Sequence, residues 1–144
     1  MSGDAGPATP CPLCEAAGGA ILWKDAVCRV VLADEPDYPG FLRVILNRHV
    51  REMTDLPPEE RLRLMAVVYG AEQAVRNVLN PDKVNLASLG NVVPHLHWHV
   101  IPRFADDPHF PNPVWGSRLR DRPHAGPSGL AAQLADALSR TLNT

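Results

Sequence analysis

Between Pro94 and Phe104 the chain reads Pro-His-Leu-His-Trp-His-Val-Ile-Pro-Arg-Phe, so that His95, His97 and His99 alternate with Leu96, Trp98 and Val100. In an extended strand, side chains at i, i+2 and i+4 leave from one face of the pleat. The segment therefore predicts a strand with three imidazoles on one side and apolar residues on the other. That arrangement commits the fold to a sheet with one packed face and one polar face. Each buried ring brings two nitrogens that need partners, and three in strict alternation point to a site. Two chemistries use such a row. In metal ligation, His-x-His brings two ring nitrogens within reach of one ion. In covalent catalysis, one imidazole attacks while its neighbours orient it or supply protons.

A chain of 144 residues suits a single domain with one ordinary core. Its 45% apolar and 21% charged residues are globular values, and a net charge of −2 leaves no basic excess for a nucleic-acid backbone. The first residues hold neither a basic nor an apolar leader segment, and no apolar run reaches the roughly 18 residues of a membrane span. A cytoplasmic protein with no membrane or nucleic-acid partner is expected. Three cysteines, an odd number, fit a reducing compartment better than a disulfide framework.

Taken in order, residues 1–10 are small, polar and Pro/Gly-containing, and are expected to form a flexible tail. Cys11-Pro12-Leu13-Cys14 then offers a redox dithiol, half of a zinc site, or a coincidence, and zinc is favoured because no buried strand precedes the pair. Apolar, β-branched runs predict strands over 20–23, 27–33, 41–47 and 84–89, with the histidine segment as the fifth. Pro57-Pro58-Glu59-Glu60 predicts the start of a long helix that Asn80-Pro81 ends. This helix carries two apolar stripes. Leu62, Met65, Val68/Tyr69, Val75 and Leu79 form one, and Leu64, Val67, Ala71, Ala74 and Val78 form the other. Two stripes exceed the need of one sheet face, so a homodimer is expected. Gly90-Asn91 reads as a hairpin-like turn, residues 105–127 as a proline-rich surface segment, and Ser128 as the cap of a last helix ending near Leu142. The sum is an α+β domain whose sheet is mainly antiparallel and five-stranded, with one long and one C-terminal helix.

The histidine segment, running on into Ile101-Pro102-Arg103, resembles the histidine-triad signature of the HIT superfamily of nucleotide hydrolases and transferases. Gly90-Asn91-Val92-Val93 is similar to the Gly-Gln-Ser/Thr-Val that precedes that signature. The resemblance covers about residues 11–116 as a HIT domain, leaving 117–144 as a C-terminal extension with a helix. It implies that His97 is the nucleophile toward the α-phosphorus of a nucleotide and that His99 donates a hydrogen bond or proton to the leaving oxygen. Asn85, Gly90 and Asn91 are implied as phosphate contacts and Asp34 as a ribose contact. The zinc-bearing branch implies a closed structural zinc site of Cys11, Cys14, His49 and His95.

This chain departs from the family pattern at several positions. Phe41 stands where Gly-His opens the third strand, Asn91 replaces Gln, and Val92 replaces a hydroxyl residue. Trp98 is expected on the face opposite the imidazoles, and Trp115 near the base or leaving group. The expected substrate is a small-molecule nucleotide, either a nucleoside phosphoramidate or a dinucleoside polyphosphate. A nucleotide-binding regulator with little turnover is the alternative, supported by Val92. A uridylyltransferase-like role fits less well, because that branch has Gln at the place of His99. A cupin-like metalloenzyme lacks the carboxylate it would need after His99.

Overall fold

The computed structural model describes residues 10–121 and 126–143, so the tail expected over 1–10 lies, except for Pro10, outside the described residues. Five strands, β1 (Ala20–Lys24), β2 (Cys28–Leu32), β3 (Leu42–Leu46), β4 (Lys83–Ala87) and β5 (His97–Arg103), form one sheet. Their order is β1-β2-β3-β5-β4, and every neighbouring pair is antiparallel. Helix α1 (Pro12–Glu15) precedes the sheet, α2 (Pro58–Leu79) connects β3 to β4, and α3 (Leu130–Leu142) follows β5. This is the expected α+β architecture. Among the described residues, no helix is long and apolar enough to cross a membrane.

Strand register divides the sheet into two chemically different faces. Val44 pairs with Val30 and Trp98, Leu46 with Cys28, and Leu42 with Leu32 and Val100, so one face is apolar throughout. Against it pack Leu64, Val67, Ala71, Ala74 and Val75 of α2 and Leu134 and Leu138 of α3, in a single core. The two α3 leucines are completely buried, worth about 2 kcal/mol each in transferred apolar surface. On the other face, the pairs Arg29–Ile45–His97, Val31–Arg43–His99 and Ile101–Asn85 line up side by side. Here lie the histidines and three arginines.

The two apolar stripes of α2 have an intramolecular explanation. Members of both lie in the single core that α2 forms with the sheet and α3. The two helices approach so closely that a Cβ at Gly70 would come within 2.5 Å of Leu142 Cδ2. Leu62 and Tyr69 remain exposed, at 74% and 60%.

Local signals fared unevenly. Pro57 and Pro58 start α2, and Asn80, in the left-handed region at φ 47°, ends it with its N–H bonded to Arg76 O. At α3, however, the capping position belongs to Gly129 at φ 74°, and no side chain caps the helix, Ser128 included. The β4–β5 connection is not a tight turn; it spans residues 88–96. Consequently β5 begins at His97, and His95 lies just before it. The reason is local pairing: Leu96 N–H bonds to Val50 O and Leu46 N–H to Leu96 O, which pulls this stretch toward the segment after β3. Helix α1 and the 3-10 turn Met53–Asp55 are too short to leave a periodic signal.

Candidate active site and metal centre

Beneath the start of β5, four side chains from three segments converge. Ligand atoms of Cys11, Cys14, His49 and His95 all lie within 4.8 Å of one another. Cys11 Sγ and Cys14 Sγ each stand 3.4 Å from His95 Nδ1, and Cys14 Sγ is also 3.4 Å from His49 Nδ1. A tetrahedron with ordinary zinc–sulfur and zinc–nitrogen bond lengths has sulfur–nitrogen edges of about 3.5 Å, so the donor set fits. The other ring nitrogen of His95 donates to Leu46 O at 2.6 Å, which turns Nδ1 toward the thiols. Burial lowers the His95 pKa, favouring the neutral ring that a ligand requires.

Arg29 holds the cysteine loop in place. Its guanidinium donates to Ala17 O, Leu13 O and Ala16 O at 2.9, 2.7 and 3.3 Å, and to Asn47 Oδ1 at 3.3 Å. A buried cation thus anchors the carbonyls around α1, with no carboxylate partner among the described residues.

One residue into β5, the geometry changes purpose. His97 Nδ1 donates to His95 O at 2.6 Å, so in the neutral ring the lone pair lies on Nε2. Ser88, just beyond β4, donates to His97 O at 2.8 Å and ties the opposite side of the residue down. His99 stands edge-on to His97, with ring centres 5.0 Å apart. Phe41 and Trp115 flank His99 at 5.7 and 5.0 Å, so the ring sits in an aromatic enclosure. Burial first, then repulsion from His97 and Arg43, pushes the His99 pKa down to about 4. Its Nδ1 is buried with no hydrogen-bond partner among the described residues. Trp98 faces the core, as its alternation with the imidazoles requires.

The remaining candidate residues divide by position. Asn85 shares the histidine face, and its Oδ1 accepts from Arg103 Nη1 at 2.7 Å, which leaves Nδ2 as its donor group. Gly90, at φ 74°, and exposed Asn91 lie on the 88–96 connection that leads into His97. Val92 is 93% exposed there. Asp34 is exposed on the loop between β2 and β3.

Sequence patterns did not reveal how the segment after β5 is held. Arg103 and Asp107, 2% and 1% exposed, form a two-pronged ion pair at 2.8 and 3.1 Å. Asp107 also accepts the main-chain N–H groups of Phe104, His109 and Phe110 and the Tyr38 hydroxyl. Although burial opposes it, Arg103 and these donors hold the Asp107 carboxyl down to about 2. Arg103 further donates to Asn112 O, and Arg120 to Phe110 O. This network folds the chain back so that Trp115 reaches His99. The available signal was an arginine inside each of three apolar strands, at Arg29, Arg43 and Arg103, all in phase with the imidazoles.

Comparison with known proteins agrees with this fold. A histidine triad protein from Marinobacter aquaeolei shares the fold with a TM-score of 0.73 at 30% identity, over 87% of this chain and 92% of that one. A zinc-bound histidine triad family protein from Mycobacterium smegmatis gives a TM-score of 0.61 at 25% identity, over 85% of each chain. An AP-4-A phosphorylase of Mycobacterium tuberculosis is 31% identical over 119 residues, 78% of this chain and 61% of that protein. An asymmetrical bis(5'-nucleosyl)-tetraphosphatase of Schizosaccharomyces pombe is 29% identical over 91 residues, 60% of this chain and 50% of that protein. The chain therefore spans about half to three fifths of the length of these curated relatives. The model of the HIT domain matches residues 17–106, and with the histidine face now described the chain belongs to the HIT domain family.

Proposed function

We propose that this HIT protein is a nucleotidyl hydrolase that cleaves a nucleoside phosphoramidate or dinucleoside polyphosphate at the α-phosphorus, through a nucleotide covalently held on His97. The observation that carries the reading is the 2.6 Å hydrogen bond from His97 Nδ1 to His95 O, which presents Nε2 with its lone pair free. In the first step Nε2 forms a bond to phosphorus, the bond from phosphorus to the leaving atom breaks, and its electron pair departs with the leaving group, a phosphate oxygen leaving as the anion and an amine nitrogen taking up a proton from solvent. In the second, water attacks the phosphorus, the P–N electron pair returns to Nε2, and the water proton passes to solvent. His99 serves the leaving atom, and its lowered pKa suits donation of a hydrogen bond from a neutral ring. Asn85 through Nδ2 and the amides near Gly90 and Asn91 stabilise the phosphate oxygens, and Asp34 takes the ribose hydroxyls.

Cys11, Cys14, His49 and His95 would hold a zinc ion with no open coordination position. When bound, the ion supplies a structural anchor for the N-terminal segment and for His95, whose carbonyl fixes the nucleophile. A site built on two thiols suits a reducing cytoplasm. Exposed Leu62 and Tyr69, one above the other on α2, support a homodimer.

Intact-mass measurement within seconds of mixing with diadenosine tetraphosphate tests the chemistry. A nucleotidyl adduct in the wild type that is missing in His97→Ala supports it. Nucleotide binding with neither adduct nor turnover on polyphosphate or phosphoramidate would replace it with the regulatory-binder reading, which exposed Val92 favours.

A further inference from the structure

The polar face of the sheet holds three arginines, and in two of them every guanidinium nitrogen is hydrogen-bonded. Arg29 is bonded to carbonyls around α1, and Arg103 to Asp107, Asn85 and Asn112. Arg43 differs. It pairs directly across β3–β5 with His99, so its Cβ lies about 5 Å from that of His99 on the same face. Its described contacts are a 3.7 Å approach to Glu35 and a position 5.4 Å over the Phe41 ring. The Glu35 distance is too long for a hydrogen bond. With its side chain 26% exposed, the guanidinium keeps unused donors, among the described residues, beside a histidine whose Nδ1 is itself buried with no partner among them. Two adjacent groups on one face, each short of a partner, define a place for a polar ligand.

The position of this cation discriminates between leaving groups. Cleaving a P–O bond in a polyphosphate releases a terminal phosphate oxygen with an added negative charge. In a partly water-excluded aromatic setting, a fixed guanidinium stabilises that charge by forked hydrogen bonds. Cleaving a P–N bond instead releases an amine, which needs a proton at nitrogen and gains nothing from a nearby cation. Resting on the hydrolase reading above, we propose that Arg43 binds the phosphate chain of the leaving group, so that the preferred substrates are nucleoside polyphosphates rather than phosphoramidates. Glu35 is then a resting partner that the incoming phosphate displaces.

Two measurements on the full chain test this. The first is kcat/KM for diadenosine tetraphosphate relative to adenosine 5'-phosphoramidate in wild type, Arg43→Leu and Arg43→Lys. The polyphosphate preference should fall at least roughly tenfold in Arg43→Leu and less in Arg43→Lys, which keeps the charge but loses the fork. The second is calorimetric binding of ATP against AMP, which needs no turnover. Wild type should bind ATP more tightly than AMP, and Arg43→Leu should erase the difference. Glu35→Gln should retain or increase it. Should Arg43 act solely as an ion-pair partner of Glu35, both variants would lose similar thermal stability while the ATP-to-AMP ratio stayed fixed; that result overturns the proposal. Failure to turn over either substrate would sink the hydrolase reading, and the calorimetric ratio would still decide the role of Arg43.

Discussion

The imidazole of His97 donates from Nδ1 to the main-chain oxygen of His95 at 2.6 Å, while the ring of His95 is turned the other way, toward Cys11 and Cys14. One residue thus contributes its side chain to the candidate metal site and its carbonyl to the ring of the proposed nucleophile. The two sites are coupled through a single peptide unit.

His97→Ala should lower hydrolysis at least roughly a thousandfold, as expected when a nucleophile is removed. Thermal stability should change little by comparison, since the ring lies on the polar face and outside the core. Steady-state rates and a melting curve on the same preparation check both halves. Wild-type-like turnover in this variant would rule out His97 as nucleophile.

Protein purified without chelator should contain close to one zinc per chain. Stripping the ion should lower the melting temperature by roughly 5 °C or more, because a ligand bound only by the folded state stabilises it. Turnover should fall along with it, through the His95 carbonyl. Elemental analysis combined with calorimetry before and after zinc is restored gives the answer; a stoichiometry far below one would remove the structural metal.

Asp107→Asn leaves Arg103 buried without a counter-charge and should cost about 3 kcal/mol. The same pair predicts an acid dependence. The folded carboxyl is depressed to about 2 from an ordinary 3.8, so its contribution of about 2 kcal/mol is complete above pH 4 and is lost as pH falls from about 4 to about 2. The charged or titratable groups facing Asp107 are Arg103, Tyr38 with His109 behind its hydroxyl, and Arg120 at the Asp107 carbonyl. Denaturant midpoints at pH 6 and pH 3 should converge in Asp107→Asn relative to wild type, and Trp115 fluorescence should report the loosened segment.

Leu138→Ala, in the helix beyond the family-matched region, should cost about 3 kcal/mol, a value typical of a completely buried leucine. Chemical denaturation measures it. A loss below about 1 kcal/mol would mean that α3 is not part of the common core.

Much of the fold was legible from local pattern. Apolar, β-branched runs marked four strands and the alternating histidines the fifth, each to within a few residues, and Pro58 and Asn80 bounded α2 because proline and a left-handed asparagine act within one turn of chain. Of the candidate metal residues, Cys11 and Cys14 were legible as a pair and His49 and His95 came from the family resemblance; the structure brings the four together. The α3 cap failed because serine and glycine compete at such positions and the choice depends on how the incoming chain approaches. The second apolar stripe of α2 suggested a partner subunit because a helix face does not say whether its cover comes from the same chain; here members of both stripes lie in the core that α2 forms with the sheet and α3.

By itself, the order of residues determined that histidines would share one side of a sheet, since side-chain direction along a strand follows from backbone geometry alone. Tertiary structure decided which nitrogen of each ring is free, which arginine keeps unused donors, and how Asp107 carries Trp115 onto His99. Those outcomes depend on cross-strand register and on carbonyls contributed by residues dozens of positions away. No local periodicity encodes such partners; they exist only once the sheet has closed.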